Sequence, residues 1–253
     1  MKIELFHIGS FAVHGYGFMI GIGFLLAIMI GCIRAKRLGL KDEAVIDIAI
    51  LAGICGFAGA KVLYVITNFK AFLKEPMAVL GSSGFVVYGG IIAGVLAAII
   101  YCRLKKIKFM EYFDLVMPEV AIAQGFGRIG CFLAGCCYGK ETHSSFGVIF
   151  PEGSMAPAGV PLIPTQLISA AGDFLIAGFL IWAAYRFLYQ NQKLIAGDIG
   201  CLYLLFYGIG RFIIEFFRND YRGAVGFLST SQFISVFIVA LGATLMVYNR
   251  KRQ

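Results

Sequence analysis

Apolar residues run along this chain in seven long blocks, at about 11–33, 44–67, 84–102, 116–138, 166–188, 196–217 and 229–248. Each approaches the ~20 mainly apolar residues that a helix needs to cross a bilayer. The connections after the first, third, fifth and seventh blocks carry thirteen of the 22 Lys and Arg residues, and the opposite connections carry six. The other three, Lys61, Arg128 and Arg211, lie inside blocks. Basic residues are retained in cytoplasmic loops, so this alternation predicts an external N-terminus and a cytoplasmic C-terminus. The expected fold is all-α: one transmembrane domain, residues 1–253, of about seven helices. The longest connection, 139–165, is then external and rich in Gly, Pro and Ser, and 68–83 and 218–228 share that side. No internal repeat or linker interrupts the pattern.

Composition sharpens this reading. Sixty per cent of the 253 residues are apolar and 14% charged, against roughly 45–50% and 25% in soluble domains. With a mean hydropathy of +0.85, polar groups cannot cover the apolar surface, so lipid must. Soluble, disordered and collagen-like classes are excluded. The net charge of +8 belongs to membrane orientation and not to nucleic-acid binding. Seven cysteines, three of them at 131, 136 and 137, form no secreted disulfide ladder. The first block ends in a basic cluster, the reverse of a cleaved signal's charge order. Thirty-two glycines nearly double the average share of about 7%. They serve close helix packing, or close approach of backbone to a ligand.

The charges inside the blocks carry the candidate chemistry. Each costs about 2.5–3.5 kcal/mol on insertion scales, so a partner or a task is expected. Acids available for pairing are Asp47, Asp114, Glu119, Asp173 and Glu215. Lys61 reads as paired or snorkelling. Arg211 and Glu215 stand four apart, and Glu215 and Arg218 three apart, on one helix face. Arg128 is flanked by Gly125, Gly127 and Gly130, which leave backbone room for a large anion. A guanidinium grips phosphate bidentately and stays charged in apolar surroundings. Arg128 and Arg211 are therefore candidates for a phospholipid headgroup, with structural pairing as the alternative for both. His14, beside Gly15 and Tyr16, is a possible base or a packed residue, and His143 is expected on the surface.

Six segments in order resemble the prolipoprotein diacylglyceryl transferases: VHGYG (13–17), GAKVLYV (59–65), FVVYGGIIAG (85–94), GRIGCFLAGCCYGK (127–140), PTQ (164–166) and YGIGRFIIEFFR (207–218), with Asp114 before the fourth block. The resemblance covers nearly the whole chain. It implies transfer of the diacylglyceryl group of phosphatidylglycerol to the lipobox cysteine thiol of a prolipoprotein signal peptide, with release of glycerol 1-phosphate. It implies a multi-pass protein of the bacterial cytoplasmic membrane, with membrane lipid and signal peptides as partners and no metal or dissociable cofactor. By residue-wise carry-over, Arg128 and Arg211 hold the phosphate and stabilise its charge as the C–O bond breaks. Arg218 and Glu215 shape the outer mouth. Tyr16, Gly90 and Gly139 line the lipid pocket, with His14 and Gly89 beside them.

The chain departs from the family where a proton must move. Tyr88 stands where members have His before the paired Gly89–Gly90, and the bare surface of those glycines would let a headgroup approach its phenol. Tyr88 is thus expected to orient phosphate or thiol by hydrogen bond, its alternative being a packed interfacial tyrosine. Cys131 and Cys136 replace an Asn and an acid of the family, and Leu162–Ile163 replace Arg-His. The Cys-x4-Cys-Cys spacing fits no standard zinc pattern, and packing of small residues explains it most simply. A secondary carrier, a non-catalytic lipid-binding protein and a family member with another acceptor are the competing readings.

Overall fold

The computed structural model describes residues 4–9, 11–190, 193–220 and 223–251. An antiparallel hairpin, β1 (Glu4–Ile8) and β2 (Phe11–His14), leads into α1 (Gly15–Arg37). Then come α2 (Asp42–Thr67), two short helices α3 (Phe69–Lys74) and α4 (Pro76–Gly81), α5 (Val87–Leu104) and α6 (Phe109–Ala134). The segment after α6 pairs β3 (Val148–Ile149) with β4 (Pro161–Leu162). Helix α7 (Thr165–Ala183) continues as a π-helix over Ala184–Gln190, and α8 (Asp198–Ile214) ends in a 3-10 turn, Glu215–Phe217. Strands β5 (Ala224–Val225) and β6 (Leu228–Ser229) form a last hairpin before α9 (Thr230–Lys251).

Six of these helices are long and apolar enough to cross a membrane: α1, α2, α5, α7 with its π extension, α8 with its 3-10 turn, and α9. This is the build of a multi-pass all-α membrane protein. Where a seventh span was expected at 116–138, α6 is long enough but less apolar, because it carries Glu111, Asp114, Glu119 and Arg128; it runs unbroken through Pro118. It also stops short of that range. Gly135, at φ +72°, takes the left-handed conformation that ends helices. At the other end of the chain, residues 11–14 belong to a strand and not to the first helix.

Two compact units divide the chain, residues 1–30 with 113–253, and residues 31–112. In the first, Ala121, Ala177, Leu180, Ala183, Ile199 and Tyr203 bury a core shared by α6, α7 and α8. Asp114 accepts hydrogen bonds from the backbone N–H of Gly197 (2.6 Å) and Gly200 (2.9 Å), satisfying donors at the start of α8. The 139–165 segment closes over its own small core of Phe150, Ala156 and Leu162. Leu162 is 2% exposed there, which gives an apolar side chain its reason at a position where the family carries a polar one.

In the second unit, α2 and α5 pack through glycine. A Cβ on Gly89 would collide with the carbonyl of Gly59, and one on Gly90 would stand 2.8 Å from the carbonyl of Gly56. Lys61 is held as a structural cation. Its Nζ donates to the carbonyl of Ser82 at 2.6 Å and sits 4.8 Å from the centroid of Phe85.

Candidate active site

Three helices of the first unit line a half-open cavity of about 210 Å³. Helix α6 contributes Arg128. Helix α7 contributes Ile168, Ser169, Gly172, Asp173 and Ile176, and α8 contributes Tyr207, Gly210, Arg211, Ile213 and Ile214. The spacing within α7 and α8 is three and four, so each helix turns one stripe to the cavity. Glycine makes the room. At Gly172 and Gly210 nothing lies within 4 Å of where a Cβ would be.

The cavity wall is apolar, and its charges are two guanidiniums and one carboxylate. Arg128 makes no hydrogen bond or ion pair within contact distance among the described residues. Its electrostatic interaction with Asp173 is compatible with either expected role, ligand contact or structural pairing. Arg211 is partly engaged: Nη2 donates to Ser231 Oγ at 2.8 Å, and Nη1 lies 2.7 Å from Glu215 Oε2. That close pair is not aligned as a hydrogen bond, since both atoms are buried without one. Arg211 thus combines the expected pairing with a remaining N–H for another acceptor.

Asp173 completes the set. Its residue is 6% exposed, and its Oδ2 is buried with no hydrogen-bond partner. Both Arg128 and Arg211 act on it electrostatically. Burying a carboxylate oxygen without a donor costs several kcal/mol on the order of magnitude of charged-group desolvation, so such an atom needs a reason. Tyr207 is set by stacking on Tyr203, 5.6 Å away, whose hydroxyl donates to Gln124 at 2.8 Å.

Beyond the end of α8, Arg218 is 8% exposed and grips Asp220 with two hydrogen bonds, of 2.8 and 2.6 Å. Burial opposes its charge, but the Asp220 carboxylate more than offsets this and holds the guanidinium proton above the usual arginine range. Glu215 Oε2 is 3.9 Å from Arg218 Nε, so the expected Arg211–Glu215–Arg218 series is present. Gly139 bridges to Arg218 and donates its N–H to the carbonyl of Ile163. A Cβ there would stand 2.6 Å from that same carbonyl oxygen. Glycine at 139 is thus required by packing, and it is not among the residues lining the cavity.

The remaining expected residues fall elsewhere. His14 lies on β2 with its side chain exposed, its Nδ1 3.1 Å from the carbonyl of Ala12 and its Nε2 4.0 Å from Glu4. The expectation of a packed histidine within a span is corrected accordingly. His143 is exposed, as expected. Tyr16 starts α1 and is 46% exposed. Tyr88, 39% exposed on the first turn of α5, belongs to the second unit with Gly89 and Gly90. The surface expected to be bare around those two glycines is covered by α2. Sequence reasoning named Asp173 only as one acid among five and did not single out Tyr207, Gly172 or Gly210. A charge within an apolar block was the available signal for Asp173.

Comparison with known proteins gives one family. The model of the prolipoprotein diacylglyceryl transferases matches residues 3–248. A protein of Clostridium perfringens named phosphatidylglycerol–prolipoprotein diacylglyceryl transferase 2 is 47% identical over 98% of this chain and 95% of its own length. A protein of Clostridium tetani named phosphatidylglycerol–prolipoprotein diacylglyceryl transferase is 43% identical over the full length of both. One from Streptococcus agalactiae is 31% identical over 97% of this chain and 95% of its own. The chain belongs to the prolipoprotein diacylglyceryl transferase family.

Proposed function

We propose that this chain transfers the diacylglyceryl group of phosphatidylglycerol to the lipobox cysteine thiol of prolipoproteins in the bacterial cytoplasmic membrane. The observation that carries the reading is the α6–α7–α8 cavity, in which two arginines and a buried carboxylate share one apolar wall. The lipid is drawn laterally from the outer leaflet, the side that the distribution of basic residues assigns to the 139–165 segment. Arg128, which makes no hydrogen bond or ion pair within contact distance among the described residues, takes the phosphate bidentately, and the remaining N–H of Arg211 takes a second oxygen. In a water-poor site such aimed charge acts most strongly on the charge that develops in the transition state.

The thiol sulphur forms a bond to the glyceryl carbon as the bond from that carbon to the phosphate oxygen breaks. The electron pair leaves with glycerol 1-phosphate, where the two guanidiniums stabilise it. The thiol proton needs an acceptor, and Asp173 is the one carboxylate lining the cavity. The family resemblance assigns the position of Tyr88 a role in orienting phosphate or thiol, and its hydroxyl is the group that would carry it. Arg218 and Glu215 shape the mouth, and Tyr16 meets the acyl chains.

The decisive experiment incubates the purified chain with phosphatidylglycerol and a lipobox peptide. Release of one glycerol phosphate for each peptide gaining a diacylglyceryl group supports the transferase. Binding of lipid without release, or solute flux into liposomes, would replace it with a lipid-binding protein or a carrier.

A further inference from the structure

The thiol cluster at the end of α6 takes no part in the reaction proposed above. Cys131 sits in the last turn of α6, and Gly135 ends that helix. The chain then turns so that Cys137 adopts φ +63°, a left-handed conformation that is uncommon outside glycine. The turn brings the sulphur atoms of Cys131, Cys136 and Cys137 within 4.8 Å of one another. Its backbone is pinned. The Cys136 N–H donates to the carbonyl of Cys131 at 3.1 Å, Gln166 Nε2 donates to the carbonyl of Cys136 at 2.7 Å, and Thr165 Oγ1 donates to the carbonyl of Cys137 at 2.8 Å. Gln166 and Thr165 are each 1% exposed, so the anchor is buried.

We propose that Cys131, Cys136 and Cys137 form a binding site for a soft, thiophilic d10 cation such as zinc(II), copper(I) or cadmium(II). A zinc–thiolate bond of about 2.3 Å places sulphurs about 3.8–4.0 Å apart in tetrahedral or trigonal sets. The observed spacing, at most 4.8 Å, is within about 1 Å of that. A disulfide needs about 2.05 Å, and none joins these residues. Three sulphur donors select soft ions over magnesium or calcium, which require oxygen.

Charge favours occupation. Three thiolates around a dication leave a net negative complex. Arg128, one helical turn before Cys131, interacts electrostatically with Cys131 and Cys137, and Arg218 with Cys137. Tyr16 faces the same group. An anionic metal–thiolate centre next to Arg128 competes with the lipid phosphate for that guanidinium, so cation binding raises the KM for lipid. This second step rests on the transferase reading, while the binding site stands without it.

The test is a titration of the full chain in detergent, reduced and freed of reductant, with cadmium chloride. Expected are a sulphur-to-cadmium charge-transfer band that saturates at one ion per chain and release of about two to three protons per ion, since the ligands must deprotonate. Bound cadmium should protect Cys131, Cys136 and Cys137 from alkylation, but not the half-buried Cys32 and Cys55. Absence of the band, or equal protection of Cys32 and Cys55, overturns the site, and both readouts use the unaltered chain. Cys136→Ser with Cys137→Asn, which tolerates the left-handed turn, should lose the band. In turnover assays saturating cadmium should raise the KM for phosphatidylglycerol about tenfold or more, the loss of roughly one charge-assisted hydrogen bond. An unchanged KM with the band present removes the competition and keeps the site. No glycerol phosphate release by the metal-free chain removes the transferase reading instead.

Discussion

Glycine does opposite work at two places in the chain. Along α2 and α5, Gly56, Gly59, Gly89 and Gly90 are bare so that two helix backbones can meet, and a Cβ at Gly59 or Gly89 would enter its neighbour. Along α7 and α8, Gly172 and Gly210 are bare and meet nothing. The first seam spends its missing side chains on contact, as membrane helices do when lipid gives them no hydrophobic reason to associate. The second leaves a void, and it is the void that holds Arg128, Arg211 and Asp173. Density of glycine therefore does not mark a site. What marks it is glycine next to charge that the fold leaves short of partners.

The strongest way to break this contrast is to remove the cation that most needs a ligand. Arg128→Ala should lower kcat/KM for diacylglyceryl transfer by at least about 10²–10³-fold, the usual cost of one aimed donor in a preorganised site. The protein should remain inserted and folded, because no ion pair depends on Arg128 among the described residues. Arg128→Lys should recover little, since an ammonium cannot reproduce the planar fork. Turnover near normal in the lysine variant contradicts bidentate phosphate binding.

Asp173→Asn keeps the shape of the carboxylate and removes its basicity. The expected loss is about 10²-fold or more at neutral pH, within the range of general-base help. The loss should narrow as pH rises through the thiol's own pKa of about 8.5, where the acceptor supplies its own thiolate. It should also narrow with a selenocysteine acceptor, which is ionised at neutral pH. A loss that stays constant across pH and acceptor assigns Asp173 to charge balance between the arginines and removes it as the proton acceptor.

The glycines themselves give a matched pair. Gly210→Leu projects into the cavity and should block lipid entry, lowering transfer about 10–100-fold while the melting temperature in detergent holds. Gly59→Ala adds one methyl against the Gly89 carbonyl and should destabilise by about 1–3 kcal/mol, the cost of overpacking, with the activity of the remaining folded protein less affected. If Gly210→Leu unfolds the protein, or leaves transfer intact, the void is not the lipid site.

Most of the fold was legible because lipid imposes a simple rule: long apolar blocks become helices. The boundaries failed where apolar residues obey a local rule instead. Cys136 and Cys137 extend the fourth block by composition, yet Gly135 ends α6 before them, a C-terminal glycine signal present in the sequence. Phe11–His14 is apolar enough to begin a helix, but residues 4–8 offer it a partner strand. Arg128 and Arg211 were legible because a charge at bilayer depth demands an explanation. The convergence of Asp173, Tyr207, Gly172 and Gly210 was not, since it depends on which faces of α6, α7 and α8 meet. Nor does a glycine pair in sequence say whether its bare surface is open, as expected at Gly89 and Gly90, or covered by another helix, as found.

Tyr88 gives the smallest and sharpest test, because it adjoins the closed glycine seam and not the open one. Its ring begins α5 just before Gly89, whose missing Cβ is already used by α2. A headgroup cannot reach Tyr88 across that face, so any contact must come from the exposed side of the ring. Tyr88→Phe keeps the ring and its packing and removes only the hydroxyl. If the hydroxyl orients phosphate or thiol, kcat should fall about 10–100-fold, just at or below the usual range for acid–base help. Tyr88→His should retain activity or raise it near neutral pH, because imidazole, with a pKa of about 6.5, restores the family's donor and acceptor pair. Equal turnover of the Tyr and Phe forms from neutral to mildly alkaline pH makes Tyr88 an interfacial anchor. The chemistry of this chain would then lie with Arg128, Arg211 and Asp173 alone.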